Sequence, residues 1–178
     1  NSTVTAIKIP DTYNNKPVSR VAGRAFLNAV YLEKVELGAN VVAIESGAFM
    51  NCSGLKVMSI TAPVNTIGFG AFAGCTRLTR IAVSDLNTCF TNDNGDGILY
   101  EINSDDEYVL VAYPAGRSDE TVTVSTFVGE IRSYAFDGAS RLKVINIERD
   151  NAFGTIGTYA FNGCSALEAV NVNNDAYV

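Results

Sequence analysis

The segment IGFGAFAGCTRLTRIAV, residues 67–83, carries the pattern that decides the fold of this chain. Its apolar positions are an isoleucine, an Ala-Phe pair four residues later, a leucine six residues after the phenylalanine, and two aliphatic residues three and five positions beyond that leucine. The spacing of Ile81 and Val83 is typical of a short β-strand that buries every second side chain. The segment therefore predicts one strand together with a compact apolar return path.

The same pattern is present in four more copies. The Ala-Phe pairs in this register are Ala25-Phe26, Ala48-Phe49, Ala71-Phe72, Ala135-Phe136 and Ala160-Phe161. The first three pairs are evenly spaced, and the interval between the last two is slightly longer. Because a repeat of this size cannot bury its apolar face alone, we expect the copies to stack as rungs of a solenoid, with parallel strands roughly 4.8 Å apart. The Phe and Leu side chains should then line up as one continuous apolar core.

The residue two positions after each phenylalanine is always Asn or Gly. These residues are Asn28, Asn51, Gly74, Gly138 and Gly163. Asn and Gly enter the left-handed conformation at low cost and commonly end helices. The pattern predicts a single helical turn that starts near Ala-Phe and ends at this position.

Residues 84–121 interrupt the repeat. No Ala-Phe pair is apparent between Val83 and Ile131, and the apolar segments at residues 97–100 and 108–113 flank a polar stretch, which predicts a β-hairpin. Beyond it, residues 122–124 restore the strand spacing. We expect seven rungs in one domain spanning residues 1–178. Because the first strand pattern has no Ala-Phe half and the last is not followed by a polar cap, the domain is expected to be part of a longer array.

The pattern from Ile67 to Val83 resembles the BspA-like leucine-rich repeats of bacterial surface proteins. The hairpin residues 97–100, followed by YPAG at residues 113–116, resemble an element found among repeats of that family. The resemblance covers essentially the whole chain, with departures such as alanine instead of cysteine in two copies and Val30 instead of a hydroxyl residue.

The resemblance implies a fold and a function. The fold is a leucine-rich-repeat solenoid with stacked parallel short strands on one face, short helical turns and loops on the other, and one β-hairpin insertion in the middle. The function implied is a non-catalytic adhesion or protein-binding module that is extracellular or at the cell surface. Solenoids host many ligands, so the resemblance does not identify the ligand.

Composition narrows the function classes further. The chain has no histidine, which removes the commonest general base and transition-metal ligand. A net charge of -6 disfavours nucleic acid as a partner. The longest apolar run, residues 108–113, is strand-sized, so no membrane insertion is expected of this chain. We expect no catalytic residue, cofactor or metal.

Three of the four cysteines share one repeat position. Cys52, Cys75 and Cys164 stand where alanine stands in the other two copies, which favours buried free thiols chosen for their small size. Adjacent rungs would bring Cys52 and Cys75 within disulfide reach, so a disulfide is the alternative. Cys89 lies outside the pattern, and no histidine is present to activate it.

Two oxygen-rich segments lie near the hairpin. The segment at residues 92–97 has the spacing of a calcium loop, but its first position is an asparagine and its twelfth, Asn103, replaces the bidentate glutamate, which favours an Asn- and Gly-rich turn. The acidic run at residues 105–107, paired with Asp93 or Asp96, would suit a carbohydrate-active enzyme. A solvated hairpin tip is the favoured interpretation, because charge at a turn discourages edge pairing.

The predicted binding surface is the exposed face of the strand ladder. Its candidate residues are Lys8, Lys34, Glu36, Ser59, Arg80, Thr123, Asn146 and Asn171. The partner that the family resemblance implies is a protein or glycan, for example of a host matrix or cell surface. The alternative is that these side chains are merely solvated and the module is a structural spacer that displays another domain. Tyr100, Tyr108 and Tyr113 of the hairpin form an alternative candidate patch, because aromatic residues commonly anchor interfaces, although alternate ones are expected to lie in the core.

Overall fold

The computed structural model describes residues 4–92, 95–103, 107–148 and 154–173. These residues form short strands and no α-helix. In chain order the strands are β1 (Ala6–Lys8), β2 (Thr12–Tyr13), β3 (Lys16–Pro17), β4 (Arg20–Val21), β5 (Lys34–Glu36), β6 (Ala43–Ile44), β7 (Val57–Ile60), β8 (Thr66–Ile67), β9 (Arg80–Val83), β10 (Phe90–Thr91), β11 (Leu99–Ile102), β12 (Tyr108–Ala112), β13 (Thr121–Val124), β14 (Val128–Ile131), β15 (Val144–Glu148), β16 (Thr155–Ile156) and β17 (Ala169–Asn173).

The strands at the end of each repeat stack in parallel, as the sequence predicts for a solenoid. One sheet has the order β1-β5-β7-β9 and a second has the order β13-β15-β17. Equivalent positions are opposite each other, with Met58 paired to Ile81 and Ile145 paired to Val170. The expected single ladder is divided, because the hairpin segment follows β9 and the Ile81 amide donates to the Gly97 carbonyl at 3.0 Å.

A second parallel ladder lies on the face where the sequence predicts only turns and loops. The aliphatic residue four positions before each Ala belongs to a strand of two to four residues, and β4, β6 and β8 pair in parallel. Val21 is opposite Ile44, and Ile44 is opposite Ile67. Each rung therefore has two strands, and β-branched side chains suit both of them.

The Ala-Phe segment is a turn and not the predicted single turn of helix. The Leu27 amide donates to the Arg24 carbonyl at 3.1 Å, whereas the intervening Phe26 amide donates to Ala48 of the next rung at 2.8 Å. This alternation recurs in the following rungs. Because every second amide bonds to the neighbouring rung, a run of helical hydrogen bonds cannot form.

Two residues of each regular rung have a left-handed backbone. The predicted position is confirmed, with φ angles of 60° at Asn28, 60° at Asn51, 67° at Gly74, 82° at Gly138 and 70° at Gly163. The residue directly before each Ala is a second such position, occupied by Arg24, Gly47, Gly70, Tyr134 and Tyr159 with φ between 58° and 65°. This conformation costs residues with a Cβ about 1–2 kcal/mol, yet Arg and Tyr occupy the second position as well as Gly. The residue type therefore does not reveal this position in the sequence.

The predicted hairpin is present and belongs to the solenoid. Strands β11 and β12 pair antiparallel, β10 extends β11, and β12 pairs in parallel with β14. The resulting sheet has the order β10-β11-β12-β14-β16. The hairpin therefore replaces part of the second ladder.

The hairpin rung contains its own version of the Ala-Phe pair, namely Ala112-Tyr113. The Tyr113 amide donates to the Ala135 carbonyl at 2.7 Å, which is the inter-rung bond that phenylalanine makes in regular copies. The interval from Ala112 to Ala135 equals the regular interval from Ala48 to Ala71, whereas the interval from Ala71 to Ala112 is longer because it contains the hairpin. The interpretation that this rung lacks the pair was wrong, because a tyrosine takes the place of the phenylalanine.

The rings at the repeated Phe position form two files of neighbouring rings. Ring centroids are 5.2 Å apart for Phe26 and Phe49, 6.0 Å for Phe49 and Phe72, 5.2 Å for Tyr113 and Phe136, and 5.5 Å for Phe136 and Phe161. Among the described residues no ring contact joins Phe72 to Tyr113. The buried residues accordingly form two clusters that meet at the hairpin rung, and not the single continuous core that the sequence predicts.

Candidate functional site

Half of the predicted surface residues line one groove over the first sheet. The groove has a volume of about 740 Å³ and includes Lys8, Lys34, Glu36 and Ser59. One wall contains Asp11, whose Oδ1 accepts from the Ala39 amide at 2.7 Å, while Asn40 Nδ2 donates to the Asp11 carbonyl at 2.9 Å. The segment leading into the hairpin of β2 and β3 is thereby fixed to the turn of the next rung.

The hairpin of β2 and β3 presents an aromatic residue that the sequence analysis did not single out. Tyr13 is 70% exposed and lies two residues from Asp11. Asn14 and Asn15 have φ angles of 49° and 58°, as the tight turn of a two-residue hairpin requires. The Asn-Asn pair was the signal that would have revealed this hairpin.

The groove contains charges of both signs. Lys34 Nζ lies 2.6 Å from Glu36 Oε1. The hydrogen bond and charge of Lys34 lower the pKa of Glu36, and Lys8, opposite Glu36 in the sheet, adds to the effect. The groove is thus suited to a partner that also carries mixed charge, since neither sign dominates.

Three of the four remaining candidates lie on the second sheet. Thr123 is opposite Asn146, and Asn146 is opposite Asn171, whose Nδ2 donates to Asn146 Oδ1 at 2.9 Å. Arg80 begins β9 and lines a separate cleft of about 250 Å³. The structure therefore divides the predicted residues among the groove, the cleft and a polar ladder.

The hairpin tyrosines do not form the alternative surface patch, because two of the three lie in the core. Tyr100 and Tyr113 are 2% and 4% exposed, and Tyr108 is half-buried. Tyr100 donates to Asp96 Oδ2 at 3.2 Å. Tyr100 and Tyr113 are buried because the hairpin is built into the solenoid.

Tyr113 belongs to a polar substitute for the Phe-Leu pair of the other rungs. Asp119 stands six residues after it, where the regular copies have leucine. Tyr113 Oη donates to Asp119 Oδ2 at 2.9 Å, and Arg117 Nε donates to the same oxygen at 2.5 Å. The Arg117 hydrogen bond, followed by that of Tyr113, lowers the pKa of Asp119, while burial raises the pKa of Tyr113.

A second arginine joins the two halves of the solenoid. Arg132 forms an ion pair with Glu101 of the hairpin and donates to the Ile67 carbonyl at 3.2 Å. Its guanidinium also lies 5.7 Å from the centre of the exposed Phe69 ring. Arg132 therefore contacts β8 and the hairpin from the rung of β14.

The four cysteines are free thiols. Those at the shared repeat position donate to a phenylalanine carbonyl of the preceding rung, with Cys52 to Phe26 at 3.1 Å, Cys75 to Phe49 at 3.2 Å and Cys164 to Phe136 at 3.1 Å. Burial raises the pKa of Cys52 and Cys164 to about 11 and that of Cys75 still more. The buried-thiol prediction is confirmed for Cys52 and Cys75, whereas Cys164 is half-buried.

The oxygen-rich segment before the hairpin supports a turn. Asn92 Oδ1 accepts from the Val83 amide at 2.9 Å, and Asp96 Oδ1 accepts from the Ile98 amide at 2.7 Å. Asp93 and the acidic residues at 105–106, which the enzyme alternative requires, lie outside the described residues. Within the described ranges no three His, Cys, Asp or Glu residues are grouped to hold a metal ion. No helix in the same part of the chain has the length and apolar character needed to cross a membrane.

Comparison with known proteins identifies similar repeats. A family model described as the BspA type leucine rich repeat region matches residues 1–94 and 116–177, in six copies. The unmatched residues 95–115 contain β11 and β12. Comparison with curated proteins finds no match.

Solved structures share the architecture. A leucine rich cell surface protein from Faecalibacterium prausnitzii is 29% identical, with a TM-score of 0.81 over 94% of this chain and 41% of its own. The pneumococcal vaccine antigen PcpA is 25% identical, with a TM-score of 0.79 over 96% of this chain and 40% of its own. A leucine rich repeat protein from T. pallidum is 21% identical with a TM-score of 0.56, covers 93% of this chain and 79% of its own, and supports the fold alone. This chain thus spans about two fifths of the first two proteins.

Proposed function

Since the chain belongs to the BspA-type leucine-rich-repeat family, we propose that it is a non-catalytic binding module that acts outside the cell or at the bacterial cell surface. The family consists of stacked repeats whose exposed side chains form extended surfaces suited to binding. A similar solved structure is that of a leucine rich cell surface protein, which supports the proposed location by analogy.

The groove over the first sheet is the observation that carries the proposal. It is large enough to accept side chains of a protein partner, and its residues Lys8, Lys34, Glu36 and Ser59 offer charges of both signs and a hydroxyl. Tyr13 adds an exposed aromatic ring nearby, which is the residue type that most often anchors protein interfaces. The proposed partner is therefore a protein, with contacts that continue onto Thr123, Asn146 and Asn171.

A binding screen with two charge-reversal variants tests the proposal. The chain is immobilised and exposed to a panel of extracellular-matrix and cell-surface proteins, and each partner is measured again with Lys34→Glu. We expect this variant to weaken binding roughly tenfold, because it places two like charges beside each other in the groove. Arg24→Glu is the matched control, since Arg24 is exposed and does not line the groove. An empty panel, or equal loss in both variants, would contradict the proposal.

A structural spacer is the second candidate. It is favoured by the fact that exposed groups already bond each other, as Lys34 does with Glu36 and Asn171 with Asn146. Replacing this chain in its parent protein by an unrelated solenoid of equal length, and measuring partner binding, distinguishes a spacer from a binding module. A spacer tolerates the exchange, whereas a binding module loses its partner.

A further inference from the structure

A small polar cleft lies where the first ladder ends against the hairpin. Its volume is about 250 Å³, and Arg80, Ser84, Asp85 and Thr91 line it. The half-buried Val83 and Ile102 provide an apolar part of the wall. No lining residue of the cleft also lines the groove of the proposed function.

Asn87 holds the outer turn of the cleft in a fixed geometry. Its Nδ2 donates to the carbonyls of Thr61 at 2.9 Å and Val64 at 2.8 Å. Its Oδ1 accepts from the amides of Cys89 at 2.9 Å and Phe90 at 2.8 Å. With its donor and acceptor atoms both engaged, this side chain fixes the backbone between β9 and β10.

The opposite wall is equally well defined. Asn92 Nδ2 donates to the Ile98 carbonyl at 2.6 Å, which ties β10 to the hairpin. Gly97 has a φ of 81°, and a Cβ built on it would lie 3.0 Å from Arg80 Cγ. The backbone at Gly97 therefore packs against the stem of Arg80 and restricts its position.

The polar groups of this cleft have capacity for a ligand. Among the described residues, the Arg80 guanidinium has no hydrogen bond, ion pair or ring contact, and neither the Thr91 hydroxyl nor the Asp85 carboxylate has a partner. Ser84 Oγ accepts from the Leu86 amide at 3.3 Å, so its own proton can be donated. The cleft thus offers a cation, two hydroxyls and one anionic acceptor beside an apolar wall.

We propose that this cleft binds a single acidic sugar residue, that is, a pyranose ring bearing a carboxylate. The Arg80 fork pairs with the carboxylate, the ring hydroxyls donate to Asp85 and accept from Ser84 or Thr91, and the C–H face of the ring lies on Val83 and Ile102. The volume is below the roughly 300–1,000 Å³ of sites for drug-sized ligands, which favours one ring over an oligosaccharide. A simple carboxylic acid would leave Asp85 without a donor.

The proposal is tested by titrating the labelled chain with glucuronate, galacturonate and N-acetylneuraminate while recording amide and arginine Nε resonances. For at least one of these sugars we expect saturable shifts at Arg80, Ser84 and Thr91 with a dissociation constant of about 1–10 mM, as a few polar contacts allow. Glucose, acetate and glutamate test the ring, the carboxylate and an amino acid separately. Each should bind at least tenfold more weakly.

Two variants relate the shifts to the cleft. Arg80→Gln should weaken binding at least tenfold, whereas Arg77→Gln, which changes an exposed arginine outside the cleft, should leave it unchanged. Thr91→Val provides a second, uncharged change and should weaken binding by a smaller factor. The proposal is overturned if no acidic sugar shifts these resonances, if acetate, glutamate or glucose binds as tightly, or if Arg80→Gln binds like the unchanged chain. None of these readouts depends on a protein partner in the groove.

Discussion

Replacing Tyr113 with phenylalanine tests whether a polar pair substitutes for the Phe-Leu pair in the hairpin rung. The Tyr113 ring is 4% exposed and stacks on Phe136 at 5.2 Å, while its hydroxyl donates to Asp119 Oδ2 at 2.9 Å. The substitution keeps the ring and its stacking. It removes only the hydrogen-bond donor.

The structure sets the expected magnitude. A hydrogen bond to a charged group contributes about 1.5–3 kcal/mol to stability. The Asp119 side chain is 35% exposed and keeps its bond to Arg117, so water and the guanidinium offset part of the loss. We expect the free energy of unfolding to fall by about 1–2 kcal/mol.

Urea unfolding followed by far-UV circular dichroism measures this change, since the chain has no tryptophan. Tyr134→Phe is the matched control, because the Tyr134 ring stacks on Tyr159 at 5.3 Å but its hydroxyl has no hydrogen-bond partner among the described residues. The control should change stability by less than about 0.5 kcal/mol.

A second background makes the test decisive. In Asp119→Leu, which restores the residue of the other rungs, Tyr113→Phe should cost less than about 0.5 kcal/mol, because the acceptor is absent. An equal cost in both backgrounds would refute the idea that Tyr113 and Asp119 act as a pair.

The same pair predicts the sign of a pH effect. Hydrogen bonds from Arg117 and Tyr113 lower the pKa of Asp119 in the folded chain below its unfolded value. The stabilisation is therefore fully present above the unfolded pKa of about 3.9 and is lost as the pH falls through the lower, folded pKa. Tyr113→Phe should reduce this acid dependence, and unfolding curves at several pH values between neutral and strongly acidic conditions would measure it.

Three further predictions concern the core, the corners and the thiols. Phe49→Ala should lower the free energy of unfolding, measured in urea, by about 3–5 kcal/mol, because Phe49 is fully buried between two stacked rings. Phe26 is half-buried, so Phe26→Ala should cost less. Equal losses in the two variants would contradict the stacking argument. Gly74→Ala should lower the melting temperature more than Gly95→Ala, since both glycines have positive φ but only at Gly74 would an added Cβ collide with a neighbouring atom, Asn51 Oδ1; equal melting temperatures would exclude that collision. Cys52 should react with a thiol reagent at pH 8 roughly a hundredfold more slowly in the folded chain than in the unfolded chain, because burial raises its pKa to about 11. Mass spectrometry of the labelled sites measures the two rates. Equally rapid modification of Cys52 in the folded chain would contradict the prediction.

Much of the fold follows from local chemistry. Parallel stacking follows from the repeat because Leu78, Ile81 and their equivalents recur at one spacing and must be buried by a neighbouring copy. The left-handed corner at Gly74 was predictable because Asn or Gly occupies it in every copy. At the preceding corner the residues range from Gly70 to Tyr134, so no residue type marked it and only the inter-rung hydrogen bonds reveal it.

The candidate site was less predictable than the fold. The outward direction of Lys34 and Asn146 follows from strand alternation, but their separation into two sheets depends on how the hairpin packs between β9 and β13. The sequence shows the regular interval from Ala112 to Ala135, but the interval alone does not identify Ala112-Tyr113 as the equivalent of an Ala-Phe pair. The hydrogen bond from the Tyr113 amide to the Ala135 carbonyl does.

The sequence by itself determined that the chain stacks repeats around apolar rungs, because periodic Phe and Leu side chains have only their neighbours to exclude them from water. Only the tertiary structure decided that the core divides in two, that Tyr100 and Tyr113 are both buried, and that Arg80 lines a cleft while Lys34 lines a groove. Those outcomes depend on contacts between segments far apart in the chain. The packing of one non-repeating hairpin sets these contacts, and the local conformational preferences of the residues do not.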